Sequence, residues 1–245
     1  MYRFYAGSLD LNQSTVEITD KDEIRHISTV LRMKKGDSVL IFNDRRQEGK
    51  GTILSVRPEK ISLRMEDIHE IDDTGTADVL LACAIPKKTK FEWIIEKCTE
   101  LGVKAIIPLL TARTEVKLKG ERAAKKHQRY QTVAKNAAKQ SGRTSLPEIY
   151  PLTGFSDAVS AAKEKGYTIL IPHLHDRRNP LKDVVESLKT KKAAIFIGPE
   201  GDFTPAEVER ALAAKAIPVS LGKNVLKVET AAITCAAFTI FSFNS

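Results

Sequence analysis

The stretch AAIFIGPEGDFTP, Ala193 to Pro205, decides how the chain is read. Its first five residues, Ala193 to Ile197, form an unbroken apolar run, too short for a typical helix and suited to a strand buried on both faces. The run breaks at Gly198-Pro199-Glu200-Gly201, and Thr204-Pro205 then supply a helix cap and a first turn. A buried strand, a glycine-bearing loop and a capped helix make one unit of an α/β fold. In an open parallel sheet, ligands bind beyond the carboxyl ends of the strands. Glycine lets backbone approach a ligand closely, and Pro199 stiffens the loop.

The same alternation extends in both directions. Val79 to Ile85 is a second continuous apolar run, followed by a helix over Lys88 to Leu101 with Phe91, Ile94, Ile95, Cys98 and Leu101 on one face. Ala105 to Leu110 reads as a strand, and a long helix spans about Glu121 to Gln140. Tyr167 to Ile171, Ala193 to Ile197 and Pro218 to Leu221 are strands, each followed by a helix: Leu181 to Leu188, Pro205 to Ala214 and Thr230 to Phe243. Strands apolar throughout and alternating with helices predict a parallel sheet covered on both faces. The exit at Leu221-Gly222-Lys223-Asn224-Val225-Leu226-Lys227 is a second glycine loop. Either loop alone is also ordinary turn chemistry. Neither is GxGxxG or GxxxxGK[ST], so dinucleotide and P-loop sites lack their fingerprints.

The first ~70 residues have a different texture, short β runs around one helix. Met1 to Tyr5, Thr15 to Thr19, Ser38 to Phe42, Gly51 to Val56 and Ile61 to Ile68 are extended. Asp20 caps a helix carrying Ile24, Ile27, Val30 and Leu31, which Gly36 stops. Five such strands bury a sheet economically only by curling into a small barrel. Asp72 to Thr76 reads as a linker, which gives two domains, 1–73 and 74–245.

Charge is distributed unevenly. Lys and Arg number 39 against 31 Asp and Glu, a net charge of +8. Between Arg113 and Arg143 stand ten basic residues (Lys117 and Lys119 among them) and two acids, so this segment accounts for the whole excess. Such concentration is what a polyanion footprint requires, although a lysine-rich solvated face gives the same signature. Arg122, Lys125, Lys126 and Arg129 share one face of the long helix. Up to Asp73 there are 12 basic and 14 acidic residues, so any RNA face there is one-sided.

Other classes fall away. Three cysteines, Cys83, Cys98 and Cys235, cannot pair completely and fit a reduced, cytoplasmic protein. The segment MYRFYAGSLD lacks a signal-peptide profile, and the apolar stretch Ala231 to Phe243 is too short to span a bilayer, so no membrane is expected. His173 and His175 are not spaced as a helical metal pair, and no metal is expected. No GxSxG string or reactive-cysteine context supports covalent catalysis.

HISTVLRMKKGD (His26 to Asp37), KFEWIIEKCTELGV (Lys90 to Val103), AAKQSGR (Ala137 to Arg143), IGPEG (Ile197 to Gly201) and LGKNVLKVETA (Leu221 to Ala231) occur together and in order. The chain thereby resembles, over nearly its whole length, the RsmE family, ribosomal-RNA uracil-N3 methyltransferases of the SPOUT class. The resemblance implies an α/β fold with a SPOUT-type parallel sheet and a C-terminal trefoil knot, preceded by a small PUA-like β-barrel. It further implies S-adenosyl-L-methionine as cofactor, a homodimer, and methylation of N3 of one uridine in 16S rRNA of the small ribosomal subunit. By residue match, Ile197, Gly198, Pro199, Glu200 and Gly201, with Leu221, Gly222, Asn224, Val225 and Leu226, cradle the cofactor.

Uracil N3 is a poor nucleophile until its proton leaves and charge spreads to O2 and O4, so a base or a nearby cation assists. Arg113 and Arg143 match family positions near the site, for oxyanion stabilisation or phosphate anchoring. Glu200 is a candidate base or orienting group, or else an acid favoured by a helix N-terminus. Glu229 reads as helix capping, and Lys97 with Glu100 as an ion-paired helix face. Arg25, Arg32 and Lys34 on the barrel, with Arg122, Lys126 and Arg129, are the candidate RNA grips. Gly198→Val is expected to exclude the cofactor sterically. The chain departs from the family pattern at Asp202, where glycine is usual, at Lys227 and Val228, at Ala112 and Thr114, and at Lys139, where glutamate is common. These departures bear on substrate contacts more than on cofactor binding. An RNA-binding assembly factor without catalysis is the alternative, and a Rossmann-type oxidoreductase lacks its fingerprint.

Overall fold

A computed structural model of the chain describes all residues except Asp44, 72–75, 87–89, 116–119, Thr144 and 175–178. The expected linker, the 73/74 boundary, Lys88, Lys117, Lys119 and His175 therefore lie outside the described residues, Thr76 excepted. The chain divides into two compact units, Met1–Thr74 with Ala138–Leu146, and Gly75–Ala137 with Pro147–Ser245.

In the first unit, β1 (Arg3–Tyr5), β2 (Thr15–Ile18), β3 (Ser38–Phe42), β4 (Gln47–Val56) and β5 (Ile61–Glu70) form one sheet in the order β1-β3-β4-β5-β2. Register shifts between Glu48 and Lys50 and between Ile53 and Ser55 bend β4 against β5 and curl the sheet. Phe4, Val16, Ile18, Val39, Ile41, Ile53, Ile61 and Leu63 meet inside in one cluster. No ladder joins β1 to β2 among the described residues, so the expected barrel is open at that seam. β4 begins at Gln47, ahead of the expected start at Gly51.

Asp20 caps α1 (Lys21–Arg25) as expected, its carboxylate accepting from the Asp22 and Glu23 amides. The helix does not continue to Gly36. It widens into a π turn, His26–Val30, closed by Leu31 N donating to His26 O. The extra residue per turn shifts the helical phase and puts Val30 in solvent, 63% exposed, instead of on the apolar stripe.

The second unit is built on an all-parallel sheet of β6 (Asp78–Ala84), β7 (Ala105–Leu110), β8 (Glu148–Ile149), β9 (Thr153–Gly154), β10 (Thr168–Pro172), β11 (Asn179–Pro180), β12 (Lys192–Ile197) and β13 (Ile217–Ser220). The order is β11-β13-β10-β12-β6-β7-β8, with β9 also on β7. Alternate residues of each strand serve opposite faces. Val79, Leu81 and Cys83 of β6 pack in one core with residues of α2 (Lys90–Leu101), α3 (Gly120–Ser141), α5 (Leu181–Ser187) and α7 (Val228–Asn244). Leu80 and Ala82 pack in the other with residues of α4 (Phe155–Glu164) and α6 (Pro205–Ala213). α4 was not anticipated, although Phe155, Ala158, Val159 and Ala162 carry a helical period and are all buried. No helix among the described residues is long and apolar enough to cross a membrane.

Candidate active site

Three neighbouring strands, β13, β10 and β12, release the chain at the same edge of the sheet. Their exit loops and the start of α7 line a pocket of about 380 Å³. Ile197, Gly198, Pro199 and Glu200 come from the β12 exit, Leu221, Gly222, Asn224, Val225 and Leu226 from the β13 exit, and Pro172, His173 and Leu174 from the β10 exit. All of the expected cradle residues except Gly201 are thus brought together, as the sheet rule demands. Gly222 has φ +113°, the region where only glycine is unstrained.

At Gly198 a side chain would meet a neighbour before it met the pocket. A Cβ placed there would stand 3.2 Å from Phe203 Cδ2 and 3.3 Å from Phe203 N. The space on the Cβ side of Gly198 is filled by the buried Phe203 ring, so the glycine serves the close approach of loop to ring, while its backbone lines the pocket. Gly201 instead offers its carbonyl, which accepts from Arg113 Nη1.

The turn bearing Arg113 follows β7 and is fixed independently. Thr114 Oγ1 accepts from Thr111 N at 3.0 Å, so threonine fills the turn-closing role open to a serine. Ala112 N donates to Glu207 Oε1 at 2.8 Å, and Glu207 Oε2 accepts from Thr204 N at 2.8 Å. One carboxylate therefore closes the capping box of α6 and holds the Arg113 turn. Since Glu207 and Thr204 cap α6, Glu200 is not that helix's N-terminal acid. It is exposed in the turn before it, on the pocket rim.

Charged residues outside the expected cradle, Lys90, Asp202 and Glu229 among them, also stand in the pocket wall. Glu229 does more than cap: its carboxylate meets Lys90 Nζ at 2.9 Å, and both line the cavity. Burial opposes ionisation of Glu229, but the hydrogen bond from Lys90 and the helix-start amide outweigh it and hold its pKa below the ordinary value. Nothing in local sequence pairs residue 90 with residue 229. Asp202 is buried and also lines the pocket, with φ +61°, which accounts for glycine being an acceptable alternative there.

The basic residues are less free than composition suggests. Lys126 Nζ donates to Glu92 Oε1 at 2.8 Å, and Arg129 donates to both Glu92 oxygens at 2.8 and 2.7 Å. Arg129, against the opposing effect of burial, and then Lys126 hold the Glu92 carboxyl down to about 2. Lys125 pairs with Glu121 at 2.7 Å, while Arg122 is exposed. In the first unit Arg25, Arg32 and Lys34 are exposed, and Arg32 has φ +52°. Arg143 is in that unit too, its amide donating to Ala138 O and its guanidinium reaching Ser145 Oγ at 3.4 Å. Lys139 meets both oxygens of the buried Glu23 at 2.8 and 2.7 Å. Lys97 and Glu100 pair at 2.8 Å as expected. The three cysteines are buried and unbridged, and no metal-holding group occurs among the described residues.

Comparison with known proteins gives this geometry a lineage. Residues 74–240 match the model of an RNA methyltransferase domain, and residues 18–66 that of an RNA methyltransferase PUA domain. The ribosomal RNA small subunit methyltransferase E of Bacillus subtilis is 33% identical over 214 residues, 86% of this chain and 84% of that protein. Its counterpart from Rickettsia conorii is 30% identical, covering 96% and 93%. Among solved structures, the Neisseria gonorrhoeae ribosomal RNA small subunit methyltransferase E bound to S-adenosyl methionine superposes with TM-score 0.84 at 28% identity, covering 97% of this chain and 96% of that one. A methyltransferase structure from Legionella pneumophila with the bound cofactor SAM gives 0.85 at 30% identity, with the same two coverages. With both units matched and the sheet-edge pocket in place, the chain belongs to the ribosomal RNA small subunit methyltransferase E family.

Proposed function

We propose that this protein is an S-adenosylmethionine-dependent methyltransferase that methylates N3 of one uridine in 16S rRNA of the small ribosomal subunit. The observation that carries the proposal is the convergence of three adjacent strand exits on one pocket, with Arg113 tied to the Gly201 carbonyl beside it. The residues present fit the cofactor. Val219, Leu221, Leu226 and Pro199 offer apolar walls for a flat base, and loop backbone offers donors and acceptors for its edge. The acids Glu200 and Glu229 balance a cationic sulfonium and ammonium, while Lys90 suits a carboxylate. When bound, the cofactor supplies an electrophilic methyl group.

The chain's own groups do the rest. The loops hold the reactants in line, which supplies much of the rate. Arg113 has five N–H donors and uses one on Gly201, so others face the negative charge that grows on a uracil carbonyl oxygen as N3 loses its proton. Glu200, exposed at the rim, accepts that proton or orients the base. Arg143 anchors phosphate or shares the oxyanion role. Residues 1–73 serve as the PUA-like RNA-binding domain, with Arg25, Arg32 and Lys34 gripping phosphate together with Arg122. Residues 74–245 form the catalytic domain, with the C-terminal trefoil knot. The target uridine leaves its stack before N3 is reachable. A cytoplasmic homodimer completes the proposal. It is supported by Trp93 and Phe241, which expose apolar surface on α2 and α7, helices that pack on each other.

The test is methyl transfer from labelled S-adenosylmethionine to small ribosomal subunits lacking the modification, followed by mass spectrometry of the nucleosides. The expected product is 3-methyluridine. A methyl group on ribose or on another base atom overturns the site assignment, and RNA binding without transfer favours the assembly-factor reading.

A further inference from the structure

Asp202, in the pocket wall, has bonding that serves neither the turn of Arg113 nor the helix cap. Asp202 sits at φ +61°, a conformation that aspartate tolerates better than most residues because its short carboxylate bonds nearby backbone. Both of its oxygens are engaged: Oδ1 accepts from Phe203 N at 2.8 Å, and Oδ2 accepts from Leu174 N at 2.8 Å. Its own amide donates to Pro199 O at 2.9 Å. Leu174 is 28 residues earlier, at the exit of β10, and β10 and β12 are neighbours in the sheet. One buried carboxylate thus ties together two neighbouring loops of the pocket wall, Pro172 to Leu174 and Gly198 to Glu200.

We infer that Asp202 is a positioning residue that sets the spacing of the β10 and β12 exit loops and thereby the affinity for S-adenosylmethionine. The inference rests on the cofactor reading of this pocket. Asp202 touches none of the reacting atoms. Its contribution is ordering: with Leu174 N released, that part of the wall has to be ordered again by the ligand, and binding weakens accordingly.

Two variants test this without depending on one fold. Asp202→Gly keeps, and even relaxes, the positive φ but removes both acceptors. Asp202→Asn keeps the size and one acceptor oxygen but turns an amide NH2 toward one of the two N–H groups. In the cofactor-free chain, exchange of the Leu174 amide, followed by NMR, is expected to rise about tenfold or more in Asp202→Gly, and in Asp202→Asn at whichever of the Leu174 and Phe203 amides its NH2 group faces. Calorimetry with S-adenosylmethionine is expected to give about tenfold weaker binding, and KM for the cofactor should rise alike while kcat at saturation stays within about threefold. Unchanged Leu174 protection in Asp202→Gly overturns the tie itself. Lost protection with unaltered cofactor affinity, or a fall in kcat without a change in KM, overturns the positioning role and leaves Asp202 a local loop staple. A wild-type chain that binds no S-adenosylmethionine overturns the cofactor reading and this role with it, and is told apart because Leu174 protection still responds to substitution.

Discussion

Arg113 and Gly201 are 88 residues apart in sequence, yet the guanidinium of one donates to the carbonyl of the other. The link makes the Arg113 side chain part of the same local structure as the β12 exit loop that lines the pocket. Lysine cannot reproduce it, because a single ammonium lacks the planar fork that serves two acceptors at once. Arg113→Lys is therefore expected to lower kcat by about 10²-fold or more while weakening cofactor binding only a few-fold. Steady-state kinetics beside calorimetry separates the two, and equal losses in both would remove Arg113 from the transition-state role.

Gly198→Ala puts a methyl group against Phe203, 3.2 Å from its ring. The expected loss is about 1–3 kcal/mol of stability, as for other overpacked sites, which in a chain of this size lowers Tm by roughly 2–12 °C. Cofactor affinity should fall through the displaced loop. Thermal unfolding decides the matter: an unshifted Tm with abolished binding restores the steric-exclusion reading.

Glu23 is 1% exposed and Lys139 meets both of its oxygens. Removing one partner leaves a buried charge without its main counterion. Lys139→Ala is expected to destabilise the protein by about 3–5 kcal/mol, and Lys139→Ala with Glu23→Leu by clearly less. Denaturant titrations of the wild type, single and double variants complete the cycle. A single variant within about 1 kcal/mol of wild type contradicts the burial argument.

The Glu92 carboxyl has its pKa lowered from 4.5 to about 2, chiefly by Arg129. A depressed folded-state pKa stabilises above the unfolded value and loses that contribution as pH falls toward the folded one. Part of the acid sensitivity between about pH 4.5 and 2 therefore belongs to this carboxyl. Glu92→Gln should flatten the stability curve in that window, and an unchanged slope there argues against the assignment.

On the proposed RNA-binding role, the same glutamate sets how many α3 cations are open to phosphate. Lys126 and Arg129 are both paired with the single Glu92 carboxylate, whereas Arg122 is not engaged in that cluster. Arg122→Ala should reduce the salt dependence of RNA affinity by about one unit of slope. Glu92→Gln should steepen it by freeing two charges, and filter binding across a salt series reads both.

The alternation of buried runs and capped helices was legible because each strand and each helix carries its period locally. Thr204-Pro205 starts α6 where its chemistry says, and Ile197 ends β12 where Gly198 breaks the apolar run. The glycine loops were legible as loops, but what fills them was not: Phe203 beside Gly198 and Lys90 opposite Glu229 are tertiary facts. The π turn at His26 escaped for a related reason, since the spacing of Ile24, Ile27 and Val30 fits an ordinary helix and only the hydrogen bonds distinguish the wider turn. The net charge of the long-helix segment was correct as arithmetic. Its partner Glu92 lies 34 and 37 residues earlier, beyond any local pattern.

Glu207 answers to two masters, the first turn of α6 and the amide of Ala112. A residue so employed has little freedom to drift. Shortening it to aspartate by one methylene strands one obligation or the other at this backbone position. Lineages that alter this position should therefore have rebuilt the loop after β7 and the beginning of α6 in the same evolutionary step.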